Sequence, residues 1–338
     1  MAVLGVALIG AGMVAGTHLA AIRDTAGLRL TGIWSRDPAR AAATAPGAHV
    51  YPDLASIAAD PAVDFVIVIT PPNARADILA PLVAAGKHIL LEKPVARDLA
   101  EARGVVDLCA AAGVTLGVVF QHRMRAASQA AAALVAGGEL GALGLVEINV
   151  PWWRDQAYYD VPGRGSYARD GGGVLISQAI HTIDLALSLS GPVSAVQAMT
   201  MTTPFHRMEA EDVAVAGLRF KGGAAGWLTA TTASFPGGAE SIGLHFAHAS
   251  LHLEAGVLTV SHRDGRVERI GAMAGTGGGA DPMAFTHDWH QAVIEDFCNA
   301  LRDGRAPCVS GQGALAAHAL IDAITQSARL GQTIEVAS

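Results

Sequence analysis

The sequence predicts an α/β protein of two domains, an N-terminal doubly wound parallel sheet followed by a domain built on a mostly antiparallel sheet. Three observations predict it. The first third alternates short, continuous apolar runs with helical segments, the pattern of parallel strands covered on both faces. After about Gln121 that alternation stops, and strand-like runs follow one another between Pro and Gly turns. The chain is also long enough, at 338 residues, for two separate cores.

Val3–Ile9 reads as a buried strand, followed by Gly10–Gly16 and a helix through about Thr25. Leu28–Trp34, Asp64–Ile69, His88–Leu91 and Val114–Phe120 are the next four strands. Right-handed crossovers through the intervening helices give the doubly wound arrangement. Beyond Gln121, a helix over Ala126–Ala136 stops at Gly137-Gly138, and Val146–Pro151 is a strand. Trp152–Arg169 is an irregular aromatic segment, and Gly171-Gly172-Gly173 breaks into a helix ending near Gly191. Strands among the runs from Val193 to about Val260 include Val213–Phe220, Ala224–Thr232 and Ile242–Phe246. Gly271–Gly279 is expected as a loop over the site or a linker. Phe285–Leu330 is largely helical, and Thr333–Val336 adds an edge strand.

Composition excludes several classes. With 51% hydrophobic and 16% charged residues, the chain buries too much to be disordered. A net charge of −7 leaves no basic surplus for a phosphate backbone, so no nucleic-acid partner is expected. Three scattered cysteines, Cys109, Cys298 and Cys308, fit a reducing cytoplasm rather than a disulfide framework. The apolar start carries no Lys or Arg before it, unlike a signal peptide, and no stretch approaches the roughly 18 uninterrupted apolar residues of a membrane span. The expectation is a soluble, cytoplasmic protein.

Gly10-Ala11-Gly12-Met13-Val14-Ala15 has the form G-x-G-x-x-A, directly after a strand and at the start of a helix. Gly10 permits the tight turn, Gly12 lets backbone approach a pyrophosphate, and Ala15 lets helix pack on strand. Free N–H groups at the helix N-terminus would meet the phosphate. Such a triplet alone is also compatible with an ordinary turn; the strand–turn–helix setting favours a dinucleotide. At the end of the second strand, Ser35-Arg36 stands where a carboxylate would hold ribose hydroxyls. A hydroxyl and a guanidinium suit a 2′-phosphate, so NADP is favoured over NAD. Alternatively, Arg36 stacks on adenine or is solvated, and Asp37 or nothing touches the ribose.

Thr70-Pro71-Pro72-Asn73 follows the third strand, where open α/β sheets bind ligands. Gly86-Lys87-His88 leads into the fourth, which finishes in Glu92-Lys93-Pro94. With Gly171-Gly172-Gly173, His181, Asp184 and the Asp296-Phe297 helix, these motifs resemble the glucose–fructose oxidoreductase, inositol dehydrogenase and rhizopine catabolism (Gfo/Idh/MocA) oxidoreductases over nearly the whole chain. The resemblance implies a Rossmann domain, 1–122, and an open-faced substrate and oligomerisation domain, 123–338, whose C-terminal helix packs back on the first. It further implies a homodimer or homotetramer formed through that sheet.

By this resemblance Lys93 would hydrogen-bond the reacting hydroxyl, and Glu92 would lie beside it near the cofactor. His181 would take the alcohol proton as hydride leaves for the nicotinamide, a role suited to its near-neutral pKa. Many members carry aspartate four residues before the histidine; here it is Ser177, followed by Gln178. The family's histidine after Thr-Pro-Pro-Asn is replaced by Arg75. Trp153-Arg154, Tyr158-Tyr159 and Arg164-Gly165 look like a subgroup that includes nucleotide-sugar dehydrogenases. There Tyr158 would stack on a sugar, and Arg154 or Arg164 would clamp a phosphate or carboxylate.

Plainer readings stand beside these. His181 lies on an apolar helix, where a core histidine is the default, and Tyr158 and Trp153 read equally as core aromatics. Asp184 either orients His181 or makes a structural hydrogen bond. Gln121 and Arg123 reach nicotinamide or substrate, or form a junction salt bridge. His245/His248 and His287/His290 lack Cys or carboxylate partners in a familiar pattern, so no metal is expected. The function this predicts is an NAD(P)-dependent oxidoreductase acting on a sugar, a sugar derivative (nucleotide- or phospho-sugars included) or a polyol. The rivals are a glycosidase that retains its NAD and a non-catalytic NAD(P)-binding regulator.

Overall fold

The computed structural model describes residues 3–273 and 286–337. The described residues up to Gln121, with Thr286–Leu315, form one compact unit; those from His122 to Met273, with 316–337, form a second.

In the first unit, β1 (Leu4–Ile9), β2 (Leu28–Trp34), β3 (Phe65–Val68), β4 (His88–Glu92) and β5 (Leu116–Val119) form one sheet in the order β2-β1-β3-β4-β5. Every pair is parallel. The connecting helices are α1 (Ala15–Asp24), α2 (Pro38–Thr44), α3 (Leu54–Ala59), α4 (Arg75–Ala84) and α5 (Leu99–Ala111). Strands β3 and β5 are buried at every position, so their sequences are unbroken Val, Ile, Leu and Phe with one Gly rather than alternating. Asp37, Asp53 and Asp98 start α2, α3 and α5, each carboxylate accepting the N–H three residues on. The strand order reverses between β1 and β3, so the turns after them open at the topological switch point. Val114 N–H bonds back to Cys109, closing α5, and this trims the fifth strand expected over Val114–Phe120.

The second unit begins with α6 (Ala126–Gly137), β6 (Leu143–Pro151), the short α7 (Gln156–Tyr159) and α8 (Ile180–Ser190). Then come β7 (Val193–Met201), β8 (Val213–Phe220), β9 (Ala225–Thr231), β10 (Ser241–Phe246), β11 (Ala249–Glu254), β12 (Val257–His262) and β13 (Val267–Gly271). With β14 (Ile334–Glu335) they make a nine-stranded sheet, β13-β12-β11-β10-β6-β9-β8-β7-β14. All its pairs are antiparallel except β6–β9. That parallel pair joins strands far apart in sequence, so a serial reading of hairpins could not anticipate it. Burial alternates along β8, with Ala214, Ala216, Leu218 and Phe220 inward. Helices α6 and α8 pack against the sheet. Met199, Met201, Val215 and Trp227 are left exposed on the sheet.

The chain then returns to the first unit with α9 (Asp288–Asp303), which packs on α1 and ends at Gly304 in the left-handed region. Phe297 of α9 meets Phe65 of β3, ring centroids 5.2 Å apart. Val309 accepts the Val118 N–H, extending the edge beside β5. α10 (Gly311–Leu330) follows. The helical stretch expected over Phe285–Leu330 is thus two helices, and Phe285 itself lies outside the described residues. Of the expected Gly271–Gly279 loop, Gly271 ends β13, and the part beyond Met273 also lies outside them. No described helix is long and apolar enough to cross a membrane.

Candidate active site

The site residues of the first unit lie in the turns that leave β1 to β5. Gly10 follows β1 at φ +117°, and a Cβ there would come 2.8 Å from Ile69 Cγ1. At Gly12 a Cβ would meet no protein atom within 4 Å, so its face is open. Met13 is exposed beside it, Val14 caps α1, and Ala15 is buried. The first turn of α1 carries no acidic residue, leaving its N–H dipole available to an anion. These features fit the pyrophosphate of a dinucleotide. After β2, Ser35 Oγ accepts the Asp37 N–H at 3.3 Å, while the Asp37 carboxylate is occupied in capping α2. Arg36 is exposed.

The turn after β3 is held from beneath. Arg75 is almost fully buried, and its Nε and Nη2 donate to the Thr70 carbonyl at 3.1 and 3.0 Å. Its Nη1 donates to the Val95 carbonyl at 3.2 Å, so one guanidinium ties the Thr70–Asn73 turn to the segment after Lys93. Burial lowers the guanidinium pKa, and the Glu92 charge opposes that. Pro71 is half-buried and Asn73 exposed, and the Thr70 hydroxyl has no hydrogen-bond partner among the described residues. Gln121, just past β5, is buried, and its Oε1 likewise has no partner there.

Glu92 ends β4 with its carboxylate turned inward. Its Oε1 lies 2.8 Å from His18 Nε2 and 3.6 Å from His290 Nε2, and its Oε2 accepts the Lys93 N–H at 3.1 Å. Burial pushes this carboxyl up, but the two histidines outweigh it and hold it well below the usual range. Lys93 is half-buried. Lys87 of the Gly86-Lys87-His88 motif is structural, its Nζ donating to the Asp60 and Val63 carbonyls at 2.7 and 2.9 Å.

The second unit presents His181. Gly173 sits against Glu211, where a Cβ would fall 1.7 Å from the Glu211 carbonyl oxygen. The Glu211 carboxylate accepts the N–H groups of Gly173 and Leu175, both at 3.1 Å. Held there, the chain makes a π-helical turn over Leu175–Ala179 before α8 begins, the kind of bulge frequent at functional sites. Half-buried Ser177 and buried Gln178 lie in this turn, and His181 is buried one residue into α8. The His181 ring stacks on His122, centroids 4.8 Å apart. Asp184 gives both oxygens to Arg123, at 2.7 Å each, so its partner is this arginine.

The aromatic segment is also anchored. His206 joins the Asp212 carboxylate at 2.6 Å to the Arg154 carbonyl at 2.7 Å. The Arg154 guanidinium is buried over Trp152 and Tyr158 and donates to the Trp153 carbonyl. Arg164, half-buried, lies over the Tyr158 ring at 4.1 Å, and Gln178 Nε2 donates to the Tyr158 hydroxyl at 3.2 Å.

The histidine pairs separate. His245 bonds to Ser250, His287 to Asp24, and His290 turns to Glu92. Sequence reasoning missed His18, His122 and Glu211 and gave His290 no carboxylate. For His18 and His290 the signal was a polar residue on a buried helix face: His18 among Ala15, Ala21 and Ile22, and His290 among Val293, Ile294 and Phe297.

A dinucleotide-binding parallel sheet joined to an open antiparallel sheet defines the class, an NAD(P)-dependent oxidoreductase. Residues 4–120 match the model of an oxidoreductase family with an NAD-binding Rossmann fold, and residues 128–259 match the GFO/IDH/MocA C-terminal domain. The chain belongs to the Gfo/Idh/MocA oxidoreductase family. It is similar to D-apiose dehydrogenase from Paraburkholderia graminis, 29% identical over 98% of this chain and 89% of that protein. D-xylose 1-dehydrogenase (NADP(+)) 2 from Haloferax volcanii is 27% identical over 90% of this chain and 91% of that protein. Among solved structures, the WlbA dehydrogenase from Bordetella pertussis in complex with NADH and UDP-GlcNAcA is 29% identical with a TM-score of 0.86, covering 100% of this chain and 99% of that one. The chain is an NAD(P)-dependent dehydrogenase acting on hydroxyl groups of the sugar and polyol class.

Proposed function

We propose that Lys93 and His181 carry the chemistry of this dehydrogenase and that its preferred cofactor is NADP(H). The observation that carries the reading is the open face of Gly12 at the head of α1, with Arg36 exposed at the end of β2. Gly10, Gly12, Met13 and Val14 would hold the pyrophosphate, Ser35 and Arg36 the 2′-phosphate, and Thr70, Pro71, Asn73 and Gln121 the nicotinamide end. Bound there, the nicotinamide supplies the hydride acceptor or donor at the sugar carbon. The Lys93 ammonium donates a hydrogen bond to the reacting oxygen. His181 takes the hydroxyl proton at a ring nitrogen on oxidation and returns it on reduction. Ser177 is not a carboxylate, so the proton acceptor is the histidine without the family's aspartate.

Tyr158 offers a platform for the sugar, and Arg164 over it is the group best placed to meet an acidic substituent. Arg154 supports that platform rather than binding substrate, because its guanidinium is buried among Trp152, Tyr158 and the Trp153 carbonyl. The exposed Met199, Val215 and Trp227 favour a homo-oligomer joined through the sheet, and the three scattered cysteines fit the cytoplasm. Fluorescence titration with NADPH and NADH, followed by a panel of neutral, acidic, phosphorylated and nucleotide-linked sugars and inositols, tests the reading. Turnover that is lost in Lys93→Ala and His181→Ala while NADPH still binds supports it. Binding of neither nucleotide would sink it, as would turnover that survives both substitutions.

A further inference from the structure

The first unit buries three ionisable side chains from three separate elements around one point. His18 comes from α1, the helix opened by the glycine turn; Glu92 from the end of β4; His290 from α9. The His18 ring is fully buried and meets the His290 ring edge-on at 5.2 Å. The Glu92 carboxylate bridges the cluster to the chain ahead, with Oε1 on His18 and Oε2 on the Lys93 N–H. The buried cation Arg75 of α4 also acts on it electrostatically, and the Lys93 charge reaches His290.

A carboxylate removed from water costs several kcal/mol unless donors and opposite charges surround it. Nothing in hydride transfer requires this one to be buried. Its position does do something for the chemistry, because it fixes the backbone of the residue whose ammonium meets the substrate. We propose that His18 and His290 are positioning residues that act through Glu92, holding its carboxylate ionised and oriented so that Lys93 is set for the reacting hydroxyl. This rests on the catalytic reading of Lys93 above. The same three side chains have the identities of metal ligands, all their donor atoms lying within 4.8 Å of one another. A divalent cation would, however, join Arg75 and Lys93 around a single carboxylate, and that charge balance favours hydrogen bonds over a metal.

The test compares His18→Leu, which removes the donor, with His18→Gln, whose amide nitrogen reaches the position of Nε2. Glu92→Gln and Lys93→Met serve as references. In His18→Leu, kcat falls on the order of a hundredfold with little change in sugar KM. The Glu92 carboxyl moves up toward the ordinary carboxylate range, because its burial is no longer offset by the His18 donor. His18→Gln recovers most of both, and Glu92→Gln is slow. Independently of turnover, a 13C-glutamate carboxyl resonance that vanishes in Glu92→Gln titrates at higher pH in His18→Leu than in wild type.

If His18→Leu does not fold, His290→Leu against His290→Gln makes the same comparison from α9. A drop in kcat with an unmoved Glu92 carboxyl resonance and no rescue by Gln means packing alone and overturns the proposal. So does one equivalent of zinc that copurifies with wild type and is lost with His18. Turnover retained in Lys93→Met fails the catalytic reading itself. An inactive Lys93→Met beside a normal His18→Leu overturns only the positioning role.

Discussion

Arg123 holds Asp184 through two parallel hydrogen bonds, Nε and Nη2 each donating to one carboxylate oxygen at 2.7 Å. This bidentate geometry is the strongest that the two side chains can make. It lies one helical turn beyond His181 and fixes the start of α8 against the segment after β5. Asp184 is buried while Arg123 keeps one-fifth of its side chain exposed, so losing the arginine leaves an uncompensated buried charge. Arg123→Ala is expected to lower unfolding free energy by about 3 kcal/mol in urea titrations, and Arg123→Ala/Asp184→Leu to regain part of it. A double variant no more stable than the single would show that the pair is not the source.

The two glycines of the first turn are expected to fail differently. Gly12→Val adds atoms where no protein lies within 4 Å, so the melting temperature stays near wild type while NADPH binding is lost. Gly10→Val forces a branched side chain to φ +117° and into Ile69, so the fold itself is destabilised. Calorimetry and fluorescence titration on both variants separate the two. Tight NADPH binding by Gly12→Val would remove the pyrophosphate from that face.

Cofactor choice is expected to turn on Arg36. A guanidinium–phosphate contact is worth roughly 1.5–3 kcal/mol, so Arg36→Glu should weaken NADPH binding by about one to two orders of magnitude and leave NADH nearly unchanged. Equal loss for both nucleotides would place Arg36 on the adenine instead.

His290 makes stability depend on pH. Burial lowers its pKa below the ordinary value, with Glu92 pulling the other way and losing. The unfolded chain therefore takes up this proton first as pH falls. Stability from this group is whole above about pH 6.5 and is lost as pH drops through the lower folded value. Urea midpoints at pH 7.5 and 5.5 should fall more for wild type than for His290→Gln. Equal falls would mean that His290 is not the sensor.

The parallel sheet was legible because burial on both faces demands continuous apolar strands, and β3 and β5 spell that out in four residues each. The glycine turn was legible for a similar reason, since its steric demands are local and appear as residue types. Beyond these, legibility thinned. Strands β11 to β13 and the parallel β6–β9 pair depend on partners far along the chain. Arg75 stood out only as a departure from the family; its clasp on the Thr70 and Val95 carbonyls has no sequence signature.

By itself the sequence determined the class of fold and the glycine turn after β1, and it singled out Lys93 and His181 as candidates, because these follow from local periodicity, glycine geometry and motif. Only the tertiary structure decided which buried charges meet. Asp184 belongs to Arg123, and Glu92 belongs to His18 and His290, partners 61, 74 and 198 residues away in a chain whose spacing says nothing about them. The physical reason is that a buried carboxylate must find its donors wherever packing brings them, and packing is settled by whole helices and strands rather than by neighbours in sequence.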